Sequence, residues 1–391
     1  MEHAVKYAIL GRTGLKVSRL GFGAMRLPTK GQGDQSQVDL EKACRLIHRA
    51  FELGVNYIDT AAFYHNSTGE AAVGQALKGW RGKIIVSTKN HYYGDDEKEW
   101  RRHLDNSLQR LGVDCIDVYN HHGLSWKRYT EAVQPRVGKW MLKAKEQGLI
   151  RHICNSFHDT NEALIRLVDS GYTSAVTLQY NMLDRQLEEG MAHARQNGVG
   201  VIVMGPVGGG HLDASEVLGG ILPGARSVPE LAIRFVLANP NVTLALSGMN
   251  RIAQVEQNTQ AASEDAALSA DDLAAIDLAL GRLKGMAELY CTGCEYCMPC
   301  PQGVSIPRIF KTYNRGRVYG LWDSARRQYA GFGKGPWDKG VRADKCGDCG
   351  ECETKCPQKL PIRKRLKEAH KALADRQDEA QRSLTNEPTG E

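Results

Sequence analysis

From residue 18 to about residue 262, short apolar runs alternate with longer polar stretches, and the alternation repeats eight times. The runs are SRLGFG (18–23), VNYID (55–59), KIIVSTK (83–89), CIDVYNH (115–121), IRHICNS (150–156), AVTLQY (175–180), VGVIVMG (199–205) and VTLALSG (242–248). Runs this short predict buried strands. The stretches between them, such as 38–53, 98–111, 160–168 and 251–262, space their apolar residues three and four apart and predict helices. Gly54, Gly112, Gly148, Gly171 and Gly198 fall where those helices should stop. Eight β-then-α units predict a closed parallel (β/α)8 TIM barrel, with a doubly wound open sheet as the alternative. The segment KYAILGRTGLKVSRL (6–20) places a Gly-Arg-Thr-Gly turn between alternating runs, and reads as a hairpin plugging the barrel floor. A helix carrying Leu268, Leu273, Ile276 and Leu280 is expected outside the barrel and closes a first domain at residue 284. A second domain then spans 285–374, and the polar tail 375–391 is expected to be disordered.

Composition changes this picture at one end only. The 391 residues are 42% apolar and 25% charged, ordinary for a globular protein, and the formal charge of +6 is too weak to imply nucleic acid or membrane. The opening MEHAVKYAIL has no basic segment leading an apolar run, and no stretch approaches 18 apolar residues, so a cytoplasmic location is expected. Cysteine is distributed unevenly. Of eleven, only Cys44, Cys115 and Cys154 precede residue 290, and these are expected to be buried without chemistry, whereas eight lie between Cys291 and Cys356. Such density in a large chain without an export signal points to metal rather than disulfides.

In a barrel of this kind, polar residues at the C-terminal strand ends point to catalysis. Strand two ends at Asp59 with Tyr64 five residues on (DTAAFY), strand three at Lys89 (VSTK) and strand four at His121–His122. Carbonyl reduction needs this set: an acid to protonate the developing alkoxide, an ammonium that eases release of a phenolic proton, and a carboxylate that keeps the ammonium charged. A neutral imidazole can steer the carbonyl oxygen. Strand alternation sends His121 and His122 to opposite faces, so that one lines the mouth and the other packs outward.

DTAxxY, the strand-end Lys and the strand-four HGL resemble the aldo-keto reductase superfamily over roughly residues 6–280. The resemblance implies that Asp59, Tyr64, Lys89 and His122 are its catalytic tetrad, His122 being chosen by the Tyr-x-x-His spacing from Tyr119. It implies a nicotinamide cofactor, NAD(P)(H), held at the carboxamide by Ser156 and Gln179, by the backbone of Gly23 and Ala24, and around Met204 and Gly205. It also implies adenine-nucleotide contacts from Ser247, Gly248, Met249, Arg251, Gln257 and Asn258. Several positions depart from the family pattern. Phe157 replaces an Asn, Met204 replaces a Tyr, and Gly248 and Gln254 stand where Lys and Arg are common, leaving NAD against NADP open.

The C-terminal motifs are CTGCEYCMPCP (291–301) and CGDCGECETKCP (346–357). The second has the C-x2-C-x2-C-x3-C-P spacing of 4Fe–4S ligation, and the first is one residue shorter before its last Cys. The fourth Cys of such a motif serves the other cluster, which predicts Cys291, Cys294, Cys297 and Cys356 on one cluster and Cys346, Cys349, Cys352 and Cys300 on the second. CPQGVSI and CPQKLPI match as the flanks of a duplicated unit. Two structural zinc sites, each held by four thiolates, are the alternative. This part resembles the ferredoxin domain of an iron–sulfur branch of the aldo-keto reductases. Together these features predict an oxidoreductase acting on a small carbonyl or alcohol, with a redox partner protein in view and without nucleic acid or membrane. Nicotinamide moves two electrons while a cluster moves one, so two alternatives stand: an electron-transfer subunit with the barrel as scaffold, or redox-neutral chemistry on a sugar-like substrate.

Overall fold

The computed structural model describes residues 5–31, 36–208, 212, 215–222, 224–263, 267–285, 291, 297–334, 340–356 and 360–374. The chain divides into two compact units, Met1–Gly210 with Arg226–Ser269, and His211–Ala225 with Ala270–Glu391.

In the first unit all eight apolar runs are strands: β1 (Leu20–Gly23), β2 (Tyr57–Asp59), β3 (Ile85–Asn90), β4 (Ile116–Leu124), β5 (Ile150–Phe157), β6 (Ala175–Gln179), β7 (Gly200–Met204) and β8 (Leu244–Ser247). They pair in parallel and close into a barrel, β8 meeting β1 through Ser247 opposite Phe22. Helices follow in turn: α1 (Leu40–Glu52), α2 (Gly69–Leu77), α3 (Glu97–Leu111), α4 (Gly138–Glu146), α5 (Asn161–Asp169), α6 (Glu188–Gln196), α7 (Val228–Ala238) and α8 (Ile252–Ala261). Asp96 caps α3 by accepting the Lys98 N–H at 2.8 Å, and Gly112 ends that helix at φ +64°. A period of two sends Tyr57, Val118, Cys154, Ala175, Ile202 and Leu244 inward, where they bury one another. Leu10 and Val17 join this layer from the N-terminal hairpin, in which Tyr7–Ile9 pairs with Lys16–Ser18. Its turn seals the floor: the Arg12 N–H donates to the Gly198 carbonyl at 2.6 Å, and a Cβ on Gly11 would lie 2.3 Å from the Gly200 nitrogen. Cys154 is buried in this layer, while Cys44 and Cys115 are half-buried.

The second unit is helical: α9 (Ala270–Gly285), α10 (Ile306–Tyr319), α11 (Trp322–Ala330), α12 (Glu351–Lys355) and α13 (Ile362–Ala374). Each matching flank opens a helix, α10 at the buried Ile306 and α13 at the buried Ile362. These pack with Ile309, Phe310, Tyr329, Leu366 and Leu373 into a separate core. The segment 211–225 leaves the barrel chain after β7 and belongs to this unit, where the Ser215 hydroxyl donates to the Tyr319 carbonyl at 2.5 Å. Among the described residues, no helix is long and apolar enough to cross a membrane.

Candidate functional site

The inward-facing layer above the apolar one is polar. Asp59, Ser87 and Asn120 follow Tyr57, Ile85 and Val118 by two residues, and Lys89 and His122 follow by two more. Lys89 is buried, and its Nζ donates to Asp59 Oδ2 at 2.5 Å and to the Thr60 carbonyl at 2.7 Å. The Ser87 hydroxyl donates to the other Asp59 oxygen at 2.8 Å, so both carboxylate oxygens are fixed. Burial, the largest single influence, works against the Lys89 charge, but Asp59 and Tyr64 together outweigh it and hold the ammonium above its ordinary range.

Tyr64 arrives from the loop after β2, with its ring centroid 5.1 Å from Lys89 Nζ. His122 stands edge-on to it, with the ring centroids 6.2 Å apart. Burial first, then Lys89, His158, His91 and Arg128, push the His122 imidazole down to about 3, so it is neutral at ordinary pH. Its Nδ1 is buried without a hydrogen-bond partner, whereas the Tyr93 hydroxyl donates to its backbone carbonyl at 3.0 Å. His121 faces the other way, its Nε2 lying 2.8 Å from the Tyr172 hydroxyl. Asp59, Tyr64, Lys89 and His122 are therefore brought together at one mouth, and His121 and His122 point to opposite faces as strand alternation predicts.

The expected cofactor residues divide into groups. Ser156, Gln179 and Met204 lie on the same rim, with Thr177 opposite Ser156 and Gln179 opposite Met204 across β5, β6 and β7. The Gln179 amide donates to the Gly205 carbonyl at 3.4 Å, and a Cβ on Gly205 would lie 2.4 Å from that amide, so glycine lets it lie flat. Ser156 offers a hydroxyl and Gln179 an amide on one edge, a donor and acceptor set that fits a carboxamide. Gly23 ends β1 and the buried Ala24 follows it, and the Ala24 carbonyl meets the His65 ring at 2.9 Å. At the end of β8 the Asn258 amide donates to Ser247 Oγ at 3.0 Å, and Arg251 and Gln257 are exposed. The Met249 side chain, by contrast, is buried in the core beside α1. Gly248 leaves room for Arg26, whose Cγ would lie 2.7 Å from any Cβ added there.

Three mouth residues escaped the sequence reading. Phe63 is half-exposed and stacks on His122 at 4.6 Å. His158 lies 3.4 Å from Ser156 Oγ, and its two-residue spacing from Ser156 is a signal that could have found it. Arg128 ends the short helix Trp126–Arg128, which carries no such signal.

In the second unit one cavity is lined by Cys297, Cys300, Cys346, Cys349 and Cys352. Both motifs thus contribute to it, and Cys300 is beside the three closely spaced cysteines of the second motif. Cys356 is buried and Cys291 partly buried around the adjoining core, while Cys294 lies outside the described residues. Among the described residues, no three His, Cys, Asp or Glu side chains crowd around a single point as one ion requires. Cysteines ringing a cavity suit a cluster, which takes one cysteine at each iron.

The sequence profile of the Aldo/keto reductase family matches residues 19–222, and that of the 4Fe-4S dicluster domain matches residues 290–360. L-galactose dehydrogenase of Arabidopsis thaliana is 28% identical over 295 residues, covering 68% of this chain and 91% of that protein. The oxidoreductase YqkF of Bacillus subtilis strain 168 is 28% identical over 290 residues, covering 65% of this chain and 90% of that protein. Among solved structures, the holo form of aldo-keto reductase AKR11C1 from Bacillus halodurans superposes with a TM-score of 0.61 at 30% identity, over 70% of this chain and 96% of that one. With the barrel, the polar layer at its mouth and the cysteine cavity in view, the chain belongs to the aldo/keto reductase family of oxidoreductases and carries a C-terminal 4Fe-4S dicluster domain.

Proposed function

We propose that the chain is an NAD(P)(H)-dependent oxidoreductase that interconverts a small carbonyl compound and its alcohol at the barrel mouth. The observation that carries this reading is the buried Lys89 ammonium, bonded to Asp59 and lying 5.1 Å from the Tyr64 ring centroid. Tyr64 gives its proton to the substrate oxygen in reduction and takes it back in oxidation. The Lys89 charge opposes the negative charge left on the Tyr64 oxygen, and Asp59, fixed by Ser87, keeps Lys89 charged and in place. His122, held neutral, directs the substrate oxygen toward Tyr64 without competing for the proton. Nicotinamide, when bound, supplies or receives the hydride. Ser156 and Gln179 hold its carboxamide, the Gly23–Ala24 backbone borders it, and the Ser247–Asn258 stretch, with Arg251 and Gln257 exposed, takes the adenine nucleotide. The name of the Arabidopsis relative adds a sugar-type alcohol to the substrates worth testing.

In the second unit we assign Cys346, Cys349, Cys352 and Cys300 to one 4Fe–4S cluster, on the rule that the fourth Cys of each motif serves the other cluster; all four line one cavity, which Cys297 also borders. Cys291, Cys294, Cys297 and Cys356 take the other. The clusters, when bound, carry single electrons, which fits exchange with a redox partner protein.

The test is direct. Purified holoprotein mixed anaerobically with NADH or NADPH is expected to bind one or both, by a fluorescence signal that a competing nucleotide removes. Tyr64→Phe is expected to cut carbonyl reduction by about 100-fold or more while nucleotide binding and cluster absorption persist. Full activity in that variant would remove Tyr64 as the acid.

A further inference from the structure

His122 lacks the partner that usually holds a working imidazole. In such a histidine one ring nitrogen does the chemistry, and a hydrogen bond to the other fixes the ring's direction and tautomer. Here Nδ1 is buried without a hydrogen-bond partner. The Tyr93 hydroxyl reaches the backbone carbonyl of His122 at 3.0 Å, which leaves the side-chain torsions unrestrained.

The ring is held by aromatic contacts instead. Phe63 lies parallel to it, with 4.6 Å between centroids and 11° between planes, while Tyr64 meets it at 84°. Phe63 is itself gripped. Tyr64 stands perpendicular to it at 5.8 Å and His91 at 5.6 Å, and His91 is backed at 4.7 Å by His103 of α3. A run of rings from α3, the end of β3 and the turn after β2 therefore leads up to the imidazole.

We propose that Phe63 is a positioning residue, whose ring takes the place of the missing hydrogen bond by stacking on His122, fixing the imidazole's direction and shielding it from water while Nε2 meets the substrate oxygen. This rests on the reading of the mouth as the site of carbonyl chemistry; Phe63 itself touches no reacting atom. A flat partner restrains the torsion that turns the ring, whereas an aliphatic side chain fills the space without setting the angle. The shield also bears on charge. Burial is the largest influence keeping the imidazole neutral, and Lys89 on β3, His158 beyond β5, His91 beyond β3 and Arg128 after β4 act in the same sense. Tyr64 and the Tyr93 hydroxyl complete its surroundings. Without Phe63, water reaches the ring face and the burial is relieved.

Two measurements on the full-length holoprotein test this. Half of Phe63 is exposed, so its replacement leaves the barrel core intact, and Phe63→Leu stands beside Phe63→Ala as a milder change. In the first measurement, histidine carrying 13C is followed by NMR, the His122 signal being the one lost in His122→Gln. That signal is expected to titrate about one pH unit higher in Phe63→Ala than in the parent protein, and at the parent position in Phe63→Tyr. An unchanged titration in Phe63→Ala overturns the proposal. In the second, kcat for carbonyl reduction is expected to fall about tenfold in Phe63→Ala and Phe63→Leu with KM unchanged, and to recover in Phe63→Tyr. Because Phe63 acts through His122, Phe63→Ala is expected to cost nothing further in a His122→Gln background. Equal losses in both backgrounds overturn the proposal. So does a loss confined to KM that grows with the apolar length of the substrate, which makes Phe63 a wall for the substrate instead. A His122 titration that depends on Phe63, in a protein that turns over no carbonyl compound, leaves the support standing and removes the carbonyl reading.

Discussion

His121 and His122 are adjacent in sequence and opposite in fate. One is buried against Tyr172 beneath the helices, and the other opens onto the mouth. Burial depresses both imidazoles from the usual 6.5 to about 3. The unfolded chain therefore binds protons between these values that the folded chain refuses. Stability is fully present above about pH 6.5 and is lost progressively as pH falls toward 3. Each unit of pKa difference is worth about 1.4 kcal/mol, so His121 alone is expected to cost about 3 kcal/mol by pH 4. Urea unfolding midpoints measured from pH 7 to pH 4 check this, and His121→Gln is expected to flatten the curve. Asp59 and Lys89 were legible in the sequence because they fall at strand ends, whereas the period of two only set His121 against His122 and the family spacing from Tyr119 pointed to His122. Arg128 and Phe63 were not legible, since they lie outside the strands, one at the end of the short helix Trp126–Arg128 and one in a turn, and periodicity does not encode their contacts.

Tyr64 depends on an element of irregular backbone. The three residues after it, His65, Asn66 and Ser67, have φ of 53°, 54° and 67°. Non-glycine residues held there cost on the order of 1 kcal/mol each, so the surroundings must fix them. The Thr68 hydroxyl donates to the His65 carbonyl at 2.7 Å, the His65 ring meets the Ala24 carbonyl at 2.9 Å, and the Asn66 amide donates to the Ser36 carbonyl at 2.9 Å. In the first turn of α2, two residues beyond Thr68, lies Glu70, a fully buried carboxylate. Arg110 of α3 donates to one Glu70 oxygen at 2.8 Å and 2.6 Å, and the Thr88 hydroxyl donates to the other at 2.6 Å. Glu70→Ala strands the Arg110 charge and is expected to destabilise by about 3–5 kcal/mol, read from denaturant midpoints. With α2 loosened, carbonyl reduction should fall further than nucleotide binding. The helices themselves were readable from spacing and glycine stops. The π-helical stretch Tyr129–Val137, which contains Pro135 ahead of α4, was not, because its apolar spacing does not distinguish it from an ordinary helix.

At the scale of the molecule, the barrel was legible because eight units repeat one pattern, whereas the second unit announced itself through cysteine spacing and its helices through little else. The sequence carries no sign that 211–225 belongs with the C-terminal unit, since it lies inside the barrel repeat. Leu212, Leu218, Ile221 and Leu222 are all buried there. A chain ending at residue 284 would leave this apolar segment without most of its unit. It is expected to aggregate or melt at a lower temperature than the full chain, by light scattering and calorimetry.

The same excursion sets an order of events on the ribosome. Ser215 and its partner Tyr319 are 104 residues apart. At about 5–20 residues per second of synthesis, the segment waits roughly 5 to 20 seconds for its partner to be made. During that interval four side chains destined for burial stand in water outside the exit tunnel, a natural opening for a holdase chaperone, and slowing elongation beyond codon 225 should lower the yield of folded protein.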